Sequence, residues 1–147
     1  MLLSDGEASR SLALRAVARD GDALTVEAVA VDGDRRWRLV GPLLRVEEAA
    51  ELGAWLAGLP GDLTLGADEW MTLTFTSRAL SVAGRRVPGG VVELRVSVLG
   101  MTVEGEPPPA AGATARTSDV VLGLRLPATA VERAAVAFTA ETAALLR

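Results

Sequence analysis

Residues Val91–Val103 read VVELRVSVLGMTV. Val92, Leu94, Val96 and Val98 fall on one side of an extended chain, and Glu93, Arg95 and Ser97 fall on the other. This is the period-two pattern of a strand with one face on a core and one face in water. Turn-forming sequence flanks it on both sides: Gly84-Arg85-Arg86 and Pro88-Gly89-Gly90 before, and EGEPPPAAGATA (Glu104–Ala115) after. The stretch is therefore read as a central antiparallel strand, and the rest of the chain is placed around it.

Downstream, the Pro/Gly/Ala-rich region near 104–117 reads as a surface loop. Asp119–Leu126 (DVVLGLRL) then alternates again, with Val120, Leu122, Leu124 and Leu126 on one face. Thr129 followed by Glu132 matches a capping box, with Pro127 just upstream. A helix is predicted from there, with an apolar stripe through Val131, Ala135, Phe138, Thr142 and Leu145.

Upstream, Trp70–Thr76 (WMTLTFT) alternates cleanly, with Met71, Leu73 and Phe75 inward, and Ala79–Val82 continues beyond a turn at Ser77-Arg78. Asp62–Leu65 reads as a short strand. Val46–Leu59 (VEEAAELGAWLAGL) changes period: Ala49, Leu52, Leu56 and Leu59 share a helical face, and Glu47, Glu48 and Glu51 sit toward the positive end of the helix dipole. Gly53 weakens that helix internally, and a close approach to the sheet would account for it. Earlier still, Ser11–Ala18, Leu24–Val31 and Arg36–Leu44 read as strands. They are joined by turns at Asp20-Gly21 and Asp32-Gly33-Asp34, and the third is interrupted at Gly41-Pro42. Met1–Ser11 reads as a loosely held end with a short edge strand. The expected fold is a single α+β domain over residues 1–147. It has two layers: an antiparallel sheet with a meander-like start, packed by one mid-chain and one C-terminal helix. Alternation alone does not decide whether the sheet stays open or curls strongly.

Composition narrows the chemistry. The 147 residues include 3% aromatics, so the core must be built from Val, Leu and Ala. There is no Cys, which removes disulfides and thiolate chemistry. There is no His or Tyr, and all fifteen basic residues are Arg, so the usual proton-transfer groups and the commonest zinc ligand are missing. No cofactor or metal is expected, and the chain reads as non-enzymatic. The net charge of −4 is the opposite of a nucleic-acid footprint, so no nucleic-acid partner is expected. No uninterrupted apolar run reaches membrane-spanning length, and the chain reads as cytoplasmic.

Four groups of residues merit attention as sites. Asp68 and Glu69 are the best placed carboxylate pair, yet adjacent strand residues point to opposite faces. Glu104 and Glu106 could lie on one side of a proline-containing loop. Arg35, Arg36 and Arg38 form a basic run, with Asp32 and Asp34 at hand to neutralise it. Trp37, Trp70 and Arg95 sit on or near the non-core side of their strands and are the candidate protein-binding residues, because Trp and Arg are the usual anchors of interfaces.

The order of elements resembles one family. A twin-strand opening leads to RRWRLVGPLL and then to the helix VEEAAELGAWLAGL. LTFTSRALSV, VVELRVSVLGMTVEGEPPP and the closing VVLGLRLPATAVERAAVAFTAETAALL follow. This arrangement, over nearly the whole chain, is similar to that of the small bacterial WapI-like immunity proteins. The resemblance implies a protein that neutralises a contact-delivered bacterial toxin by binding it, and it brings no catalytic residue with it. Members often carry Glu-Pro-Asn where this chain has Thr76-Ser77-Arg78, and an aromatic where it has Pro109-Ala110, which implies a different partner if those positions make contact. Two other roles remain open: a homo-oligomeric assembly domain pairing through an edge strand or the Ala-rich helix, and a small-ligand carrier or enzyme using the concave face of a curled sheet.

Overall fold

The computed structural model describes residues 1–7, 9–61, 69–107 and 109–147. The described strands are β1 (Leu2–Asp5), β2 (Arg10–Asp20), β3 (Ala23–Asp32), β4 (Arg35–Arg45), β5 (Met71–Thr74), β6 (Leu80–Val87), β7 (Val91–Val103) and β8 (Thr117–Pro127). The helices are α1 (Val46–Gly58), which runs into a short 3-10 turn at Leu59–Gly61, and α2 (Ala128–Leu145). The predicted strand at Asp62–Leu65 lies outside the described residues.

All pairings are antiparallel, in the order β1-β2-β3-β4-β7-β6-β5, with β8 on the opposite edge of β7. The central position of β7 follows from its register. Val91–Val98 pair with β6 on one edge and with Pro127–Val120 of β8 on the other. Beyond Val98 the ladder shifts at a bulge. There Gly100 takes a positive φ of 74° and donates its N–H to Asp119 Oδ1 at 3.1 Å. Past that bulge, Thr102 and Val103 pair with Arg38 and Trp37 of β4, on the edge that β6 has left. Bulges bend strands and sharpen twist, so one strand serves two neighbours in succession. At the other end of the sheet β1 comes round to β8, where Asp5 Oδ2 accepts the backbone N–H of Arg125 at 3.0 Å. The sheet is thus strongly curled, a half-barrel.

Its concave face holds the core. Val92, Leu94, Val96 and Val98 of β7 are buried with Leu12 and Leu14 of β2, Val26 of β3 and Leu122, Leu124 and Leu126 of β8. α2 packs Phe138 into this cup and touches α1, β1, β2, β7 and β8. Of the predicted stripe, Val131, Ala135, Phe138 and Thr142 are buried, and Leu145 packs at the margin. α1 buries Ala49, Leu52, Gly53 and Leu56.

Several local expectations are corrected. α2 begins at Ala128, with Pro127 in the cap position, so Thr129 is already helical and cannot cap. β8 leads into α2 without a linker, and proline, its φ fixed at −58°, suits that entry. β4 continues through Gly41-Pro42, with the bend and edge position that such an interruption suits. The β3–β4 ladder has a bulge that leaves Leu43 unpaired, so that Leu43 and Leu44 are both buried. Pro42 is tolerated because that half of β4 has only β3 as a ladder partner among the described residues. Gly84-Arg85-Arg86 belongs to β6, and Pro88-Gly89-Gly90 alone makes the turn. The first residues are not loose: β1 pairs with β2, Leu3 is buried and Leu14 donates its N–H to the Met1 carbonyl. Gly53 faces α2 rather than the sheet, since a Cβ there would sit 2.6 Å from Thr139 Oγ1.

The helix–sheet approach is closest at Gly84. A Cβ there would come within 2.6 Å of Leu59 Cδ2, 2.9 Å of Leu94 Cδ2 and 3.0 Å of the Trp55 ring. Gly84→Val is therefore expected to destabilise the protein by about 2 kcal/mol or more, through overpacking, as a lowered urea midpoint at unchanged slope.

A second joint ties α1 to the β5–β6 connection. The Glu48 carboxylate accepts the Arg45 N–H (2.8 Å), the Thr76 N–H (2.6 Å) and the Thr76 hydroxyl (2.6 Å). Ser77 Oγ donates to the Leu43 carbonyl at 2.8 Å. Burial raises the Glu48 pKa, but the hydrogen bonds from Thr76 and Arg45 and the nearby Arg45 charge outweigh it and hold the carboxyl below its ordinary value. A folded-state pKa below the unfolded one adds stability that is fully present above the unfolded value of about 4.3 and is lost as pH falls through the folded value. Glu48→Gln should therefore cost about 1 kcal/mol at neutral pH. Paired urea titrations of the two proteins should show that gap closing toward pH 3, whereas a gap independent of pH would rule out the charge as its source.

Candidate protein-binding site

The convex face of β6, β7 and β8 carries the side chains that the core does not use. Register sets Arg85, Glu93 and Arg125 in one cross-strand row, and Ala83, Arg95 and Gly123 in the next. Glu93 is shared by two cations: Arg85 Nη2 lies 2.6 Å from Oε2 and Arg125 Nη1 lies 3.8 Å from Oε1. Trp70, immediately before β5, reaches over this face. Its ring centroid is 4.9 Å from the Arg85 guanidinium carbon and 4.8 Å from that of Arg95. Cations within about 6 Å of an indole face are attracted by its quadrupole, so the arginines hold the ring in place while it stays 37% exposed.

Beside the ring lies a shallow depression of about 310 Å³, lined by Trp70, Arg85, Arg95, Arg125 and, from across the β1–β8 seam, Asp5 and Arg10. Gly123 forms part of the floor, and its carbonyl accepts Arg10 Nη1 at 3.5 Å. Arg10 also pairs with Asp32 at 3.0 Å.

The structure brings two of the three candidate binding residues, Trp70 and Arg95, into one patch. Trp37 sits elsewhere. It is half-buried against the core, and its ladder partner Val103 lies eight residues along β7 from Arg95, roughly 25 Å at strand rise. It borders a separate depression with Asp32, Arg35 and Asp119. The expectation that it lies on the non-core side is corrected: Trp37 shares the inner side of β4 with Leu39, opposite buried Ala30, while Arg36 and Arg38 point outward, which is the placement that strict alternation along β4 gives. Arg85, Glu93, Arg125 and Arg10 were not singled out by sequence. A usable signal existed, since a turn confined to Pro88-Gly89-Gly90 puts Arg85 directly opposite Glu93.

The other clusters do not form centres. Arg36 pairs with Glu104, and Arg38 pairs with Glu27 at 2.6 Å. The expected pairing with Asp32 and Asp34 is corrected: Arg36 and Arg38 are neutralised by more distant acids, and Asp32 is taken by Arg10. Asp68 lies outside the described residues, and Glu69 is exposed beside Trp70. Among the described residues no three acidic groups converge on a metal-sized site, and no helix is long and apolar enough to cross a membrane. Thr76 and Ser77, two of the positions at which the chain departs from the family pattern, are engaged within the fold: Thr76 donates to Glu48 of α1 and Ser77 to the Leu43 carbonyl of β4.

The stacking can be measured. In a double-mutant cycle of Trp70→Leu and Arg95→Gln, followed by urea unfolding, the coupling energy should fall near 0.5–1 kcal/mol, about what an exposed cation–π pair contributes. Strict additivity of the two substitutions would show that the stack does not hold the ring.

No individual curated protein and no solved structure matches the chain. A family model does: it aligns with residues 5–145 and describes the immunity protein WapI-like family. The match runs from the last residue of β1 to the end of α2, including every strand that builds the convex face, and the chain belongs to the WapI-like immunity protein family.

Proposed function

We propose that this protein is a non-enzymatic immunity protein, acting as one domain in the bacterial cytoplasm, that binds a toxin domain through the Trp70–Arg95 face and blocks the toxin's working surface. Family membership supports a protein-binding role. The observation that carries the site is an exposed Trp held between two arginines on the outer face of the sheet. Immobilising such a ring before binding lowers the ordering cost of an interface anchor. The concave face, which a carrier or enzyme would need, is occupied by Phe138, Leu52 and Leu56 of the two helices.

One observation favours a second reading, self-assembly. The outward side of α2 is rich in alanine and leaves Val136 69% exposed. Affinity capture from native lysate at low and moderate salt, with retained proteins identified by mass spectrometry, separates the two. A stoichiometric toxin domain is expected at both salts, and Arg95→Glu and Trp70→Ala, each folded as the parent, should reduce its retention about tenfold or more, the size of effect that hot-spot truncation gives. Retention of this chain alone would favour assembly through α2. Unchanged capture of a toxin by both variants would remove this face from the interface.

A further inference from the structure

The protein is acidic overall, yet the depression beside Trp70 is not. Four guanidinium groups, those of Arg10, Arg85, Arg95 and Arg125, line it against the carboxylates of Asp5 and Glu93. Those two acids are engaged elsewhere: Glu93 is divided between Arg85 and Arg125, and Asp5 is 8% exposed and accepts the Arg125 backbone N–H. Arg95 differs from its neighbours. Among the described residues it meets no carboxylate, and the contact that holds its guanidinium is the Trp70 ring. Stacking uses the face of a guanidinium and leaves its N–H edge available for planar, bidentate recognition of a carboxylate. The space that such a group would enter is kept open by Gly123, whose missing Cβ would meet nothing within 4 Å.

We infer that this depression is a carboxylate pocket: it takes an aspartate or glutamate side chain from an acidic segment of the protein partner, with Arg95 and Arg10 as donors, Trp70 as one wall and Gly123 as the floor. This rests on the partner-binding reading of the same face and specifies the chemistry of the partner. A single carboxylate fits the charge better than a nucleic-acid backbone does. Phosphate strands require a run of unpaired cations, and outside the depression Arg36 and Arg38 are already paired with acids. The partner's contacting segment is thus acidic, although the net charge of −4 taken alone would suggest a basic one.

Gly123→Val tests the pocket without removing a charge. Position 123 has no positive φ, there is open space around the added side chain, and a β-branched residue suits a strand. The probes are capped deca-glutamate, capped deca-glutamine and a single-stranded oligothymidylate, titrated at low salt while the Arg Nε–H and Trp Nε1–H resonances are followed by NMR. The expected result is saturable movement of the Arg95 and Trp70 signals with deca-glutamate, absent with deca-glutamine, and weakened about tenfold in both Gly123→Val and Arg95→Gln, in line with loss of a charge-assisted pair. Arg95→Gln gives an independent answer should the valine variant fold poorly. No movement with deca-glutamate, equal movement with deca-glutamine, undiminished binding by Gly123→Val, or tighter binding of the oligothymidylate would each overturn the inference. The two readings fail separately. If Arg95→Glu abolishes toxin capture while deca-glutamate does not bind, the interface stands and the carboxylate pocket falls. If toxin capture survives Arg95→Glu and Trp70→Ala, the interface reading falls whatever the peptide does.

Discussion

Everything in this molecule depends on one strand being shared. β7 pairs with β6 and β8 along its first half and with β4 and β8 after the bulge at Gly100. Without that exchange of neighbours the meander β1–β4 and the unit β5–β8 would be separate sheets, each with an open edge. The exchange also produces the curl, because a strand bent at a bulge cannot continue flat. The curl makes the cup that Phe138 and the Leu52–Leu56 face of α1 fill. Interior and exterior are therefore set together: what fills the cup leaves the convex side of the β6–β8 unit as the face on which polar and aromatic groups are displayed.

The chemistry of that face follows from the same register. A two-residue alternation along β7 sends Val92, Leu94 and Val96 into the core and Glu93, Arg95 and Ser97 outward. Cross-strand pairing then decides which charges meet. Glu93 falls between Arg85 and Arg125 and is used by both, whereas Arg95 falls between Ala83 and Gly123, neither of which offers it a carboxylate. A shift by two residues in β6 or β8 would set Arg85, Ser81, Arg125 or Val121 opposite Arg95, none of them an acid. Register thus decides which arginines Glu93 engages, and the absence of acidic residues along β6 and the facing half of β8 leaves Arg95 without one.

Among the described residues, sequence periodicity recovered the longer strands and both helices because their apolar spacing is clear, as in VVELRVSV and in the Val131–Phe138 stripe. Where it failed, the cause was tertiary. Thr129–Glu132 matches a capping box in sequence, but the direct junction of β8 with α2 puts the helix start two residues too early for Thr129 to cap. The curl was not legible because its origin, the bulge between Val98 and Met101, sits inside a run that alternation reads as continuous. The same blind spot divided the candidate site. Trp70 and Arg95 could each be recognised as outward-facing, but their meeting depends on β5, β6 and β7 lying side by side, and the separation of Trp37 depends on where β4 joins β7.

The contrast between global and local charge bears on how such a protein would choose a partner. Net charge acts at distances comparable to the Debye length, about 8 Å at physiological salt, and beyond it is screened. An overall charge of −4 therefore influences encounter more than docking. Docking at the proposed face would be decided at contact, where two arginines fix an indole and one of them, Arg95, meets no acid among the described residues. Burying a charged group without a partner is costly, so an interface that covers Arg95 must bring a carboxylate to it or leave it wet. A basic patch within an acidic protein thus excludes partners whose contacting segment is basic, even those that the overall charge attracts. In the proposed pocket that selectivity would rest on Gly123 as well as on the arginines, because a branched side chain there would project into the space the carboxylate needs.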